Sequence, residues 1–272
     1  MKETLLALIL CFLNLNCMSQ SYKSLKEALF SSTTKIEIAN TAGQITTGTG
    51  FFFSYVIGSD TLFTLITNYH VVANTKSVRL TLTHQKKTGG PDYGKHSTFT
   101  VSDANWIKHP SEDLAMIILT RQLQEQFENK FNAEIYFSCF SEGNIPNQSN
   151  IKKLQAIEDV LMIGYPVGFY DKYNNLPIIR RGITSTPYFV DYENQKRFLL
   201  DIAIFPGSSG SPVMLSNELS AINAEQYSLL GIACGTITKP DSSALNIGVA
   251  IKSECLLDFK PIIKSVIDAN NK

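Results

Sequence analysis

The chain has 272 residues, 24 basic and 24 acidic side chains, and a formal net charge of +0. Hydrophobic residues make up 44% and charged residues 18%, a globular composition long enough to bury a core without cross-links. The charge balance excludes a nucleic-acid binder working through a basic footprint; 16 Gly and 10 Pro exclude a fibrous chain, and five Cys without a C-x-x-C pair exclude a disulfide scaffold.

The first element is the apolar run Thr4 to Leu15, too short for a membrane span of about 20 residues. Cys17 and Ser19 follow in the small-x-small pattern of a signal-peptidase site. Residues 1–19 therefore read as a signal peptide cut before Gln20, and the protein as secreted or periplasmic, with no integral span in the mature chain. A buried N-terminal helix and a lipid-modified Cys17 are the other readings; Leu15-Asn16 suits the lipid signal poorly. Export permits disulfides, and Cys139, Cys234 and Cys255 remain after cleavage. Three is odd, so at least one thiol stays unpaired or joins another chain, and the sequence does not say which.

Residues 20–33 form an N-terminal helical segment, with Leu25, Ala28 and Leu29 of Tyr22–Phe30 on one face. From Thr34 the pattern changes to strands: KIEIA, TGTGFFFSYVI, TLFTLITN, SVRLTLTH and STFTVSDANWI, separated by Gly- and Pro-containing turns. Leu114–Leu119 is a continuous apolar run, as in a fully buried strand. Gln122–Asn132 is polar and reads as helix or loop, and Ser141–Ser149 as a linker. A second strand series follows: VLMIGYP, IIRRGITSTPYFV, RFLLDIAIF, SPVML, LLGIACGTI and NIGVAI. Ser253–Ala269 reads as a closing helix that Pro261 interrupts or restarts. Many short strands without interleaved helices indicate an all-β fold, and two series indicate two barrels, in 34–140 and 141–272.

The densest motif is the stretch 205–213, FPGSSGSPV. Glycines beside a serine let the chain turn sharply and let backbone N–H groups converge on one point, the setting an acyl-transfer serine needs. Gly/Ser/Pro strings are more often plain turns, so the motif is weak alone. A serine nucleophile also needs a base, and the base an orienting acid. Of four histidines, His70 ends the predicted strand LFTLITNY, whereas His84, His96 and His109 read as loop residues. Asp113 heads the buried run LAMIIL, a costly place for a carboxylate without a bonding partner.

In the order His70, Asp113, Ser209, the chain resembles the chymotrypsin-like serine proteases. GTGFFF before LITNYHVV, EDLAMIIL, IGYPVG, RRGITST and DIAIFPGSSGSPV are similar to motifs of the Deg-type periplasmic proteases, and SGSPV is similar to the secreted glutamyl endopeptidases. The resemblance runs from about Thr34 to Ile251. It implies two six-stranded Greek-key β-barrels with the site between them, a short N-terminal helix and a C-terminal helix. It implies Ser209 as nucleophile, His70 as general base and then acid, Asp113 as its orienting acid, and the N–H groups of Gly207 and Ser209 as oxyanion hole. The resemblance implies a protein or peptide substrate, with no cofactor and no metal.

There are departures. Ser208 stands where the family has Asn, and the short stretch after NIGVAI leads to the expectation that no PDZ domain follows. Gly231-Ile232-Ala233 lacks the His of the glutamyl endopeptidases, and Ala203 is not the Asp of trypsin. A pocket of Ala203, Ala233 and Gly248 implies small or aliphatic P1 residues. Two rivals remain: a pseudoprotease used as a binding module, and an intracellular trypsin-like effector module. Oligomeric state is not legible.

Overall fold

Alternation along one strand explains the architecture. Phe51, Phe53 and Tyr55 point to one face and Phe52 to the other, yet all four are buried. The strand therefore has a core on each side. A computed structural model describes residues 25–39, 44–73, 75–216, 228–238 and 244–270. The expected signal peptide and Cys17 lie outside the described residues.

The first half contains α1 (Leu25–Leu29), β1 (Thr33–Ala39), β2 (Ile45–Ile57), β3 (Asp60–Thr67), α2 (Tyr69–Val72), β4 (Ser77–Gln85), β5 (Pro91–Ser102), β6 (Ile107–Lys108), β7 (Ala115–Ile118), α3 (Arg121–Phe131), β8 (Ile135–Tyr136) and β9 (Phe140–Ser141). Their sheet runs β5-β4-β1-β2-β3-β7-β6, with β8 added to β4 and β9 to β2. The second half contains α4 (Gln148–Ile151), β10 (Asp159–Gly164), β11 (Ile178–Ile183), β12 (Arg197–Leu200), β13 (Pro212–Leu215), β14 (Leu229–Thr238), β15 (Ala244–Lys252) and α5 (Phe259–Asn270). Its six strands run β11-β10-β13-β14-β15-β12. A bridge between Thr184 and Leu200 ties the two edges together. The fold is thus the expected two-sheet β fold. The first sheet exceeds six strands because two-residue segments, β6, β8 and β9, pair along its margins.

Three buried clusters organise it. Ile36, Phe52, Leu65, Val78, Leu80 and Phe99 fill the first barrel, with Phe127 of α3 closing its end. Val160, Met162, Phe198, Leu200, Val213 and Leu230 fill the second. The third cluster lies between them and joins Phe51, Phe53 and Met116 to Met214, Ile232, Leu256, Phe259 and Ile263. The C-terminal helix α5 therefore belongs to the seam between the barrels. Pro261 sits in its first turn, where a missing N–H costs no helical hydrogen bond, so it does not interrupt the helix.

Some local expectations change. The strand before His70 stops at Thr67, and His70 lies on the single turn α2. His84 and His96 belong to β4 and β5 rather than to a loop. Ser141–Ser149 is not a free linker: a capping box at Ser141 and Asn144 and a side-chain cap at Asn147 order it. No disulfide joins Cys139, Cys234 and Cys255 among the described residues.

Candidate active site

His70, on α2 just after β3, and Asp113, on the loop just before β7, come from adjacent strand ends. β3 and β7 pair through Thr67 and Ala115, so the residues beyond them lie side by side. The Asp113 carboxylate takes two hydrogen bonds from one residue: the His70 backbone N–H donates to Oδ1 at 2.9 Å, and His70 Nδ1 lies 2.5 Å from Oδ2. With the proton at Nδ1 on this bond, Nε2 is left as an acceptor, the tautomer a general base needs. The Asn68 amide donates to the Asp113 carbonyl at 2.8 Å, which closes the pair.

Ser209 comes from the turn between β12 and β13. Gly207 (φ 91°) and Gly210 (φ 89°) flank the two serines in a conformation that disfavours any side chain. A Cβ at Gly210 would lie 2.0 Å from the Thr49 carbonyl oxygen, and one at Gly207 2.4 Å from that of Tyr165. Space as well as dihedral angle demands glycine at both. Within GSSGS the neighbours Ser208 and Ser211 are buried, with hydroxyls unpartnered among the described residues. Ser209 alone of the three is partly exposed.

Thr49, which the sequence reading passed over inside GTGFFF, anchors this turn from the first barrel. Its N–H donates to the Ser209 carbonyl at 2.9 Å. Its hydroxyl donates to the Gly207 carbonyl at 2.8 Å and accepts from the Tyr165 N–H at 3.1 Å. The Thr67 hydroxyl holds the Thr49 carbonyl at 2.7 Å.

The peptide between Pro206 and Gly207 is oriented by a neighbouring loop. The Val167 N–H donates to the Pro206 carbonyl at 2.5 Å. In a trans peptide the C=O and the next N–H point in opposite directions, so the Gly207 N–H points away from Val167. Neither it nor the Ser209 N–H has an acceptor among the described residues. Val167 adopts φ 47°, ψ 29°, a left-handed conformation that costs a β-branched residue about 1–3 kcal/mol. No hydrogen bond joins His70 to Ser209 among the described residues. Such bonds are often long in the absence of substrate.

The pocket residues are placed unevenly. Ala203 is partly exposed, Ala233 is fully buried, and a Cβ at Gly248 would lie 2.7 Å from Ile204 Cδ1. Ile204 thus fills the space that the missing Gly248 side chain leaves. Arg180, absent from the sequence expectation, donates to the Ala203 carbonyl and lies 5.3 Å from the centre of the Phe205 ring. No cluster of metal-ligating side chains occurs among the described residues, and none of their helices is long and apolar enough to cross a membrane.

Residues 48–219 match the trypsin-like peptidase domain family. No curated protein matches the chain. A serine-to-alanine form of the HtrA-type protease AlgW with a tripeptide shares the fold at TM-score 0.51 and 17% identity, covering 91% of this chain and 64% of that one. AlgW with a decapeptide gives TM-score 0.50 and 15% identity over 92% of this chain and 69% of that one. M. tuberculosis Rv3671c, in an inactive form, gives TM-score 0.48 and 18% identity over 88% and 89%. The chain therefore spans less than two thirds of the length of the first of these.

Proposed function

Because the chain belongs to the trypsin-like peptidase domain family, we propose that it is a serine endopeptidase that hydrolyses proteins or peptides through an acyl-enzyme. The carrying observations are the doubly bonded His70–Asp113 pair and a glycine-flanked, partly exposed Ser209. His70 Nε2 takes the Ser209 proton as Oγ attacks the scissile carbonyl, and the Asp113 carboxylate stabilises the imidazolium. The N–H groups of Gly207 and Ser209 receive the oxyanion. His70 then returns the proton to the leaving amine, and water repeats the sequence to release the acyl group.

The Val167–Pro206 hydrogen bond, which turns the Gly207 N–H away from Val167, supports an active peptidase over a silent binding module. The exported route follows from the signal-like N-terminus. For P1, uncharged and small residues at Ala203, Ala233 and Gly248 support small or aliphatic side chains. The test is fluorophosphonate labelling followed by a peptide-library screen. Labelling that Ser209→Ala abolishes supports the reading, and no labelling of wild type overturns it. Preference for an acidic P1 would overturn the apolar assignment and point to Arg180.

A further inference from the structure

Asp113 sits on a six-residue loop, 109–114, between β6 and β7. His109 begins that loop and its side chain is only 1% exposed. Its Nδ1 accepts two consecutive backbone N–H groups, Ser111 at 3.2 Å and Glu112 at 2.9 Å. A nitrogen that accepts carries no proton, so Nε2 carries it in the neutral ring. That Nε2–H donates to the Cys255 carbonyl at 2.9 Å, in the turn that leads into α5. The ring meets Phe259 edge to face at 5.1 Å, and the Asp258 carboxylate lies 3.4 Å from Nε2. A second crossing lies beside it: Arg197 of β12 reaches Glu112 at 3.4 Å.

We propose that His109, with the Arg197–Glu112 pair, is a positioning clamp by which the second barrel and its C-terminal helix set the catalytic acid Asp113 against His70. This rests on the peptidase reading above. An Asp or Asn at this position could accept the two loop N–H groups, as in an ordinary Asx turn. It could not also reach Cys255. Only a ring with an acceptor on one edge and a donor on the other serves both barrels. Asp113 spends both carboxylate oxygens on His70, so the bearing of that carboxylate is set by the loop backbone. Asn68 and Tyr69 hold the Asp113 carbonyl from the first barrel, and His109 holds the preceding Ser111 and Glu112 and ties them to the second.

The experiment uses the full chain with His109→Asn, His109→Leu and Arg197→Met. Activity is counted per fluorophosphonate-titrated site, beside thermal unfolding and the low-field proton resonance of the 2.5 Å His70–Asp113 hydrogen bond. His109→Asn keeps the loop acceptor and loses the bridge. Its kcat falls about 10- to 100-fold at unchanged KM, as for a small misplacement of a catalytic group, and the low-field resonance shifts or broadens. His109→Leu loses more, and Arg197→Met loses less, with the resonance moving in the same order. A merely structural His109 lowers the melting temperature while kcat per site and the resonance stay put, and that result overturns the clamp. If neither position-109 variant folds, an unchanged resonance in Arg197→Met overturns it. The resonance does not depend on turnover. A silent wild type would therefore sink the peptidase reading and still leave the clamp decided.

Discussion

The two barrels contribute to the site by different means. The second barrel presents Ser209 through backbone geometry: two positive-φ glycines, a fixed peptide at Pro206 and no side-chain scaffold of its own. The first barrel presents His70 and Asp113 as side chains on a single helical turn and a short loop, which polar contacts hold from outside the loop. A backbone device is encoded locally, because only glycine fits. A side-chain device is encoded at a distance, because its partners lie on other elements. The site tolerates substitution accordingly.

The largest expected effect is at the elbow. Ser209→Ala abolishes turnover while folding is retained, because the side chain is small and near solvent; steady-state kinetics with circular dichroism checks this. Ser208→Ala and Ser211→Ala remove buried hydroxyls without partners and keep most activity, because an unpaired buried hydroxyl stabilises nothing. Activity kept in Ser209→Ala but lost in either neighbour would break the assignment of the nucleophile. Gly210→Ala comes next. A Cβ 2.0 Å from the Thr49 carbonyl cannot be absorbed by a flexible neighbour, so the variant loses both activity and soluble yield.

Thr49→Val tests the contact between the two modes, since this first-barrel residue holds the second-barrel elbow. It removes the hydroxyl that donates to the Gly207 carbonyl and accepts from Tyr165. Leaving those buried groups unpaired costs about 1–3 kcal/mol of stability. If the elbow depends on this anchor, fluorophosphonate labelling slows about tenfold, an effect of about 1.4 kcal/mol on the barrier. Unfolding at lower denaturant with labelling unchanged would show that the glycines hold the elbow alone.

The same difference explains what the sequence made legible. The elbow, the burial of LAMIIL and the two strand series could be read because glycine placement and apolar runs are local signals. Leu114, Ala115 and Met116 are indeed fully buried. His109 looked like a loop residue because Pro110 follows it, and nothing nearby announces that its partner is Cys255, far along the chain. Arg197 and Glu112, and Arg180 with Ala203, are hidden in the same way. His84 and His96 carry no strand signal because β4 and β5 continue as polar ribbon past the barrel's apolar interior, where alternation no longer marks a strand. The two-residue strands β8 and β9 are too short to show any period.

The smallest effect separates the barrels by pH. Burial pushes the Cys234 thiol of β14 up to about 12, against the nearby Arg197, which lowers it; burial likewise pushes Cys255 up to about 12. Both thiols belong to the second barrel and the seam. Above the ordinary thiol range, near 9.0, the unfolded chain has released these protons and the folded chain still holds them. The unfolded state then binds fewer protons, so stability falls as pH rises between about 9 and 12 and is insensitive to these groups below that window. Buried Tyr165 and Tyr188, also raised by burial, add to the same alkaline loss. Cys234→Ala and Cys255→Ala isolate the thiol share. Urea midpoints followed from about pH 8 to about pH 10.5 drop less in these variants than in wild type. Equal slopes would assign the alkaline loss to the tyrosines. Both thiols also resist alkylation in the folded protein at pH 8, where burial keeps them protonated, and react once urea unfolds it.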